Sequence, residues 1–259
     1  MTLKRFAPSV RLMFPIRDHN PSGRTPYVTY ALIAANVLAY LGYFGLLGDE
    51  RALMQFYANW AIVPAWVSDG SHVYTLLTSQ FLHAGFMHLA GNMLFLWIFG
   101  DNLEDEMGHL GYLVFYLACG TGAGLIHVFS GPQSMVPTVG ASGAIAGVLG
   151  GYLLLFPRAK VDILIILIIF FRIFPLPAWV MLGIWFAMQL LGGFASDPDM
   201  GGVAYWAHIG GFVIGMVLTL PLLARRGGKR FWERNQGHPP HPDADYAFAR
   251  SNIPKFRRK

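Results

Sequence analysis

Charged side chains are scarce in this chain. Asp, Glu, Lys and Arg make up 13% of its 259 residues, about half the share found in a soluble domain. Cysteine occurs once, as Cys119 inside an apolar run, which excludes a disulfide framework. Apolar residues are abundant: they make up 54% of the chain, and several runs reach the roughly 20 residues with which a helix crosses a bilayer. The composition predicts a multi-pass membrane protein.

The apolar runs predict an all-α polytopic membrane protein with six transmembrane helices. We expect one core, residues 26–223, between a basic N-terminal segment (1–25) and a basic, disordered C-terminal tail (224–259). Residues 48–85 are half apolar and rich in aromatic side chains, which predicts a long loop lying in the membrane interface between helices 1 and 2. The predicted spans cover residues 27–47, 86–103, 110–129, 139–156, 177–194 and 203–223.

Basic residues are concentrated on one side of this topology. Five precede the first span, two follow the fourth and ten follow the sixth. Because Lys and Arg are enriched in cytoplasmic loops, both termini are predicted to be cytoplasmic, and a bacterial inner membrane is the expected location. The net charge of +5 then reports membrane topology, so the bilayer is an expected partner and nucleic acid is not.

The run Val161–Phe171 does not fit the scheme of six spans. It is very apolar, but as a helix it would cover about 17 Å, roughly half of the hydrocarbon core. Arg172, Pro175 and Pro177 then interrupt it. We expect it to dip into the membrane without crossing, because a crossing would place the basic tail outside.

Four polar side chains fall at one depth of the predicted bundle, in its outer half. His88 and Asn92 lie in the first two turns of the second span, Ser142 lies in the first turn of the fourth, and His208 lies near the start of the sixth. Each costs free energy in hydrocarbon unless it is partnered or wetted. Structural accidents would scatter over both leaflets, so convergence at one depth favours a functional site.

These residue types suit acyl transfer. A serine hydroxyl is a poor nucleophile until a base takes its proton, and histidine suits that role near neutral pH. Ser142 is the candidate nucleophile and His208 the candidate base. Histidine and asparagine side chains, with backbone N–H groups at a helix start, can stabilise the oxygen that becomes negative.

Small residues recur at four-residue spacing on the two helices that carry Ser142 and His208. This spacing lets helices pack backbone to backbone in a membrane, so we expect it to bring the two side chains together. The small residues are Gly143, Gly147 and Gly151 on the fourth span, and Ala207, Gly211 and Gly215 on the sixth.

Three motifs, in order on alternating spans, resemble those of the rhomboid family of intramembrane serine proteases. They are "HAGFMHLAGN" (His83–Asn92), "GASG" (Gly140–Gly143) and "AHIGGFVIG" (Ala207–Gly215). Each motif alone is weak, but the ordered set is highly specific. The resemblance covers all six predicted helices.

The resemblance implies a serine endopeptidase with a Ser142–His208 dyad and no third, acidic member. It also implies an oxyanion hole formed by His88, Asn92 and the backbone amide of Ser142, with no metal or cofactor. The implied partners are transmembrane protein substrates, cut within or beside a helix near the outer face. Two departures matter. Tyr74 and Thr75 stand where the family often has a Trp-Arg pair in the first long loop, which leaves that loop anchor open. Ala146 replaces a tyrosine that packs on the histidine in some members, so something else must orient His208.

Three other functions are open at this stage. A zinc protease could use His83, His88 and His208, but the chain has no H-E-x-x-H pair. A non-catalytic rhomboid-like protein could bind or escort transmembrane clients, although such a protein would be expected to lack the serine or the histidine. A transporter could line its pathway with these polar residues.

Overall fold

The computed structural model describes residues 12–20, 22–167, 170–197 and 201–238. These residues are mostly helical, and short 3-10 turns extend α1 and α4 at residues 44–46 and 79–81. The helices described are α1 (Tyr27–Tyr43), α2 (Glu50–Trp60), α3 (Pro64–Ser68), α4 (Thr75–Thr78), α5 (Phe86–Met107), α6 (His109–Ser130), α7 (Ser142–Leu155), α8 (Ala178–Ala195), α9 (Tyr205–Arg225) and α10 (Lys229–Asn235).

Four of the described helices are long and apolar enough to cross a membrane: α1 with its 3-10 turn, α6, α8 and α9. The pair formed by residues 75–81 and α5 passes the same test together, although it is bent by 94° at its break, so up to five spans are present by length and composition. α7 is apolar but has only 14 residues. A mostly helical chain with four or five candidate membrane spans is confirmed, whereas a count of six spans stays a prediction.

α7 lies at the centre of the bundle, in contact with α5, α6, α8 and α9. All but three of its residues are buried. Its sequence, SGAIAGVLGGYLLL, is built from small and aliphatic side chains that leave no polar face. Because other helices surround α7, its apolar surface is buried against protein all round.

Glycines bring α7 and α9 into backbone contact. A Cβ atom at Gly211 would collide with the carbonyl oxygen of Gly143, and one at Gly215 with that of Gly147. The four-residue spacing of small residues predicted this packing, and the structure confirms it. Only residues without a Cβ permit such an approach.

Two antiparallel strands, β2 (Lys160–Leu167) and β3 (Phe170–Pro177), follow α7. β2 also pairs with β1 (Leu12–Asp18), which gives a three-stranded sheet in the order β1-β2-β3. The all-α class was therefore a wrong prediction, since the described residues of the run Val161–Phe171 lie in strands. Whether this run dips into the membrane without crossing stays a prediction. A short apolar run cannot be assigned to helix or strand by periodicity alone, and this run is rich in β-branched Ile and Val.

The sheet packs against the helical bundle where α7 ends and α8 begins. Val161 and Ile163 are buried in the main hydrophobic core. The N–H of Ala178, at the start of α8, donates to the carbonyl of Ala159 over 2.8 Å. The chain therefore returns at the start of α8 to the end of α7 from which it left. Within the segment predicted only as a basic leader, Arg17 Nε donates to Asp162 Oδ2 over 2.6 Å and ties β1 to β2.

The C-terminal tail is not entirely disordered. α10 buries Phe231, and Trp232 Nε1 donates to the carbonyl of Leu154 over 3.0 Å. The prediction of a disordered tail was wrong for these residues, because an apolar contact of one or two side chains leaves little trace in a basic sequence. Residues 239–259 lie outside the described part of the chain.

The connection between α1 and α5 contains α2, α3 and α4. The Tyr43 hydroxyl accepts a hydrogen bond from the His83 N–H over 2.6 Å and donates one to the His83 carbonyl over 2.8 Å. Ile62 pairs with Thr138 in an isolated antiparallel bridge, which holds this connection against the segment that leads into α7. Its location in the membrane interface stays a prediction.

Candidate active site

Ser142 is the first residue of α7 and follows a turn that depends on glycine. Gly140 has a φ of +140°, a backbone conformation that favours glycine, and its N–H donates to the Ser79 carbonyl over 3.0 Å. The first N–H groups of a helix have no acceptor within that helix. The backbone amide of Ser142 therefore belongs to a set of donors available at this end of α7.

His208 faces Ser142 from the first turn of α9. Its Nε2 atom lies 2.8 Å from Ser142 Oγ, and both side chains are partly buried. This distance is within the hydrogen-bonding reach required of a base that activates a nucleophile. The contact follows from the backbone packing of α7 on α9.

The other ring nitrogen of His208 contacts a residue that the motifs did not indicate. Gln189 Oε1 lies 2.8 Å from His208 Nδ1, and the ring of Trp185 stacks on the imidazole with centroids 6.0 Å apart and planes at 30°. Both residues belong to α8. A glutamine is the one side chain of α8 with an amide or a charge, and a polar residue in such an apolar helix was a signal of function that our sequence reasoning missed.

His88 and Asn92 lie in the first two turns of α5 and border the serine. A Cβ atom added at Gly140 would lie 3.0 Å from His88 Nε2 and 3.3 Å from Ser142 Oγ, so the glycine fits between these two groups. Asn92 is buried, and its Nδ2 has no hydrogen-bond partner among the described residues. Buried amide groups are normally paired, so this nitrogen is a donor without an acceptor among the described residues.

A cavity of about 740 Å³ joins these groups. Its apolar wall includes Met54, Met87, Phe95 and Trp185. The volume lies within the roughly 300–1,000 Å³ that is usual for a ligand site, and an apolar wall with a few convergent polar groups is equally usual. All four site residues predicted from the sequence line this one cavity: Ser142, His208, His88 and Asn92.

The remaining histidines between residues 12 and 238, where described, do not gather into a metal site. His127 Nε2 lies 2.8 Å from Thr138 Oγ1, and His109 Nδ1 lies 2.6 Å from Glu104 Oε1. His83 is buried beside His88, with ring centroids 5.1 Å apart. Across the part of the chain that the structure describes, no group of three His, Cys, Asp or Glu side chains could hold a metal ion.

A polar network lies at the opposite end of α7. Asp18 Oδ2 accepts hydrogen bonds from the Tyr152 hydroxyl over 2.8 Å and from Asn102 Nδ2 over 2.9 Å. Burial of the carboxyl, together with the nearby charge of Asp101, raises the pKa of Asp18 to about 8. Because Tyr152 lies ten residues after Ser142 on α7, this network anchors the far end of the helix that carries the serine.

Comparison with known proteins identifies the family. Residues 70–225 match the family model described as the Rhomboid domain. This chain belongs to the rhomboid family. The resemblance read from the three motifs is therefore confirmed, and the protein is an integral membrane protein of that family.

The rhomboid relatives match in part of their length. The chain is 32% identical over 149 residues to Rhomboid protein 1, mitochondrial, of Saccharomyces cerevisiae, which covers 55% of this chain and 40% of the relative. It is 37% identical over 131 residues to Rhomboid protease GluP of Bacillus subtilis (49% and 24%). It is 42% identical over 84 residues to Rhomboid-like protein 11, chloroplastic, of Arabidopsis thaliana (32% and 27%). The matches thus span less than half of each relative.

Proposed function

We propose that this rhomboid protein is an intramembrane serine endopeptidase that cuts membrane-anchored proteins within or next to a transmembrane helix, near the outer face. The observation that carries the proposal is the 2.8 Å contact between His208 Nε2 and Ser142 Oγ. Support also comes from the family, which includes a relative named as a protease. A non-catalytic client-binding protein would be expected to lack the serine or the histidine, and this chain has both.

The first half of the reaction forms an acyl-enzyme. Ser142 Oγ attacks the carbonyl carbon of the scissile peptide while His208 Nε2 takes the hydroxyl proton, and the carbonyl electron pair moves to oxygen. Collapse of this tetrahedral intermediate breaks the C–N bond, and the protonated His208 gives its proton to the leaving amine. In the second half, His208 deprotonates a water molecule, which hydrolyses the ester and returns the serine.

The negative oxygen of the intermediate needs donors already in place. The backbone N–H of Ser142, Asn92 Nδ2 and the His88 ring supply them from the start of α7 and the start of α5. Asn92 Nδ2 suits this role because it lacks a partner among the described residues. Donors of this kind stabilise charge that develops in the transition state, and losing one costs about 10²–10³ in kcat.

The proposed substrates are transmembrane proteins, since the apolar wall of the cavity suits an apolar segment better than a polar peptide. We further propose that α5 and α7 complete a six-span core with cytoplasmic termini. Relatives carry the words mitochondrial and chloroplastic in their names, so the bacterial inner membrane stays a prediction.

Cleavage of a transmembrane substrate in lipid vesicles tests the proposal. Ser142→Ala and His208→Ala are expected to abolish turnover, and the double variant is expected to be no worse than either, because the pair acts as a unit. Ser71→Ala and His109→Ala are matched controls outside the cavity and should retain turnover. If Ser142→Ala cleaves the substrate as fast as the wild type, the proposal is contradicted. Client binding without turnover by the wild type would favour the escort alternative.

A further inference from the structure

Gln189 lies against His208 on the side opposite to Ser142. Its side chain is buried, at 8% exposure, and its Oε1 atom is 2.8 Å from His208 Nδ1. We propose that Gln189 is the positioning residue of the dyad: its amide carbonyl holds His208 in the tautomer whose Nε2 is free to take the serine proton. This inference rests on the proposed function of Ser142 and His208.

The orientation of the Gln189 amide follows from its second contact. Nε2 lies 3.2 Å from the carbonyl oxygen of Trp185, one turn earlier on α8. A carbonyl only accepts, so the amide nitrogen must face Trp185 and the amide oxygen must face His208. That oxygen also only accepts, so Nδ1 of His208 carries the hydrogen. A neutral imidazole has one N–H, which leaves Nε2 as the acceptor toward Ser142.

Trp185 constrains the His208 imidazole through two contacts. Its backbone carbonyl orients the amide of Gln189, and its indole ring covers the face of the His208 ring. The Trp185 ring is itself packed near Phe212, with centroids 5.9 Å apart. One turn of α8 thus restricts both the rotation of the imidazole and its tautomer. In this chain position 146 is an alanine, so the contacts from Trp185 and Gln189 orient the His208 ring in place of a tyrosine.

A neutral amide differs from an acidic third member in one testable respect. In a Ser-His-Asp triad the carboxylate fixes the tautomer and also stabilises the imidazolium that forms. Gln189 can do only the first, because it carries no charge. The titratable side chains that line the cavity together with His208 are His88, His127, Asp197, Tyr57 and Tyr205. None of them lies on α8, so a carboxylate introduced at position 189 would add an anion in direct contact with His208 Nδ1.

The test compares Gln189→Met and Gln189→Glu with the wild type in lipid vesicles over a range of pH. Gln189→Met keeps the side-chain size but removes the acceptor. It should lower kcat by about 10- to 100-fold, below the ~10⁴ cost of a wrong tautomer in a triad, with KM changed by less than about twofold. Gln189→Glu restores an acceptor and should keep kcat within about tenfold of wild type. It should also move the acid limb of the kcat/KM profile to higher pH by about one unit or more.

Thr219→Val is the matched control. It removes a buried side-chain hydrogen bond, from Oγ1 to the Gly215 carbonyl, on the same helix as His208 but three turns away. It should lower the unfolding temperature without shifting the pH profile. If Gln189→Met loses no more kcat than Thr219→Val at equal loss of unfolding temperature, the role of Gln189 is structural and the inference is overturned.

The remaining outcomes are also decisive. If the acid limb of the kcat/KM profile lies at the same pH for the wild type and Gln189→Glu, the inference is overturned. If Gln189→Met does not insert into the membrane, this comparison of pH profiles is the deciding test. Ser142→Ala is assayed beside these variants. Full turnover by Ser142→Ala would contradict the proposed function itself. If turnover requires Ser142 but does not require Gln189, only the positioning role is overturned.

Discussion

Gly211 of α9 packs against the carbonyl oxygen of Gly143 on α7. His208 lies three residues before Gly211, and Ser142 is the residue before Gly143, so the contact of the two glycine backbones sets the separation of the two reactive side chains. The site is therefore a consequence of helix packing. A change in the distance between the α7 and α9 backbones would be transmitted directly to the Ser142–His208 hydrogen bond.

Gly211→Ala should separate the two helices. The added Cβ meets backbone, which cannot move aside as a flexible side chain could, so we expect a loss of about 1–3 kcal/mol in the free energy of unfolding and a fall in kcat. Thermal unfolding and turnover are measured together. Gly183→Ala on α8 is the matched control, because no atom lies within 4 Å of a Cβ placed there. Equal behaviour of the two variants would contradict the packing account.

Asn92→Ala should lower kcat by about 10² while KM changes little, because the amide is proposed to bind the oxygen only when it becomes negative. His88→Ala should do likewise. Steady-state kinetics with one transmembrane substrate separates the two constants. A large rise in KM at constant kcat would instead assign these residues to substrate binding.

Asp18 should make stability depend on pH. Its pKa is raised from 3.8 to about 8 in the folded protein, so the folded state holds a proton that the unfolded chain releases. The associated stability is fully present below pH 4 and is lost as the pH rises toward 8, by on the order of 1 kcal/mol per pH unit.

Asp18→Asn should remove this decline in stability, because an asparagine side chain does not titrate. The variant should still fold, since the asparagine carbonyl can accept a hydrogen bond from Tyr152 or Asn102. Unfolding temperatures between pH 5 and about pH 8 provide the measurement. Glu50→Gln, at an exposed position in the first turn of α2, should leave the decline in place. A decline that persists unchanged in Asp18→Asn would show that another group causes it.

The arrangement of the candidate site could be predicted from the sequence because it depends on local patterns. The histidine, serine and asparagine side chains lie near helix starts, and the order of the predicted spans placed them together. The glycine spacing of α7 and α9 is visible in one dimension. These features converge on one cavity without any need to know the full packing of the bundle.

The sequence did not carry features that depend on distant pairing. β2 pairs with β1, more than 140 residues earlier, as well as with the adjacent β3, and an apolar run contains no record of the distant partner. Gln189 is an amide in an apolar helix, a signal that the sequence analysis did not use, and its proposed role depends on the three-dimensional contact with His208. α7 has only 14 residues and is surrounded by other helices. A hydropathy profile does not show which apolar segments are surrounded by protein.

A serine-directed phosphonate probe tests the central claim most directly. After reaction in lipid vesicles, digestion and mass spectrometry locate the labelled residue. The account predicts a single phosphonate on Ser142 in the wild type, with labelling lost in His208→Ala because the hydroxyl then has no base. Turnover of a transmembrane substrate with the label on another serine, or with Ser142 unlabelled at saturating probe, would contradict it.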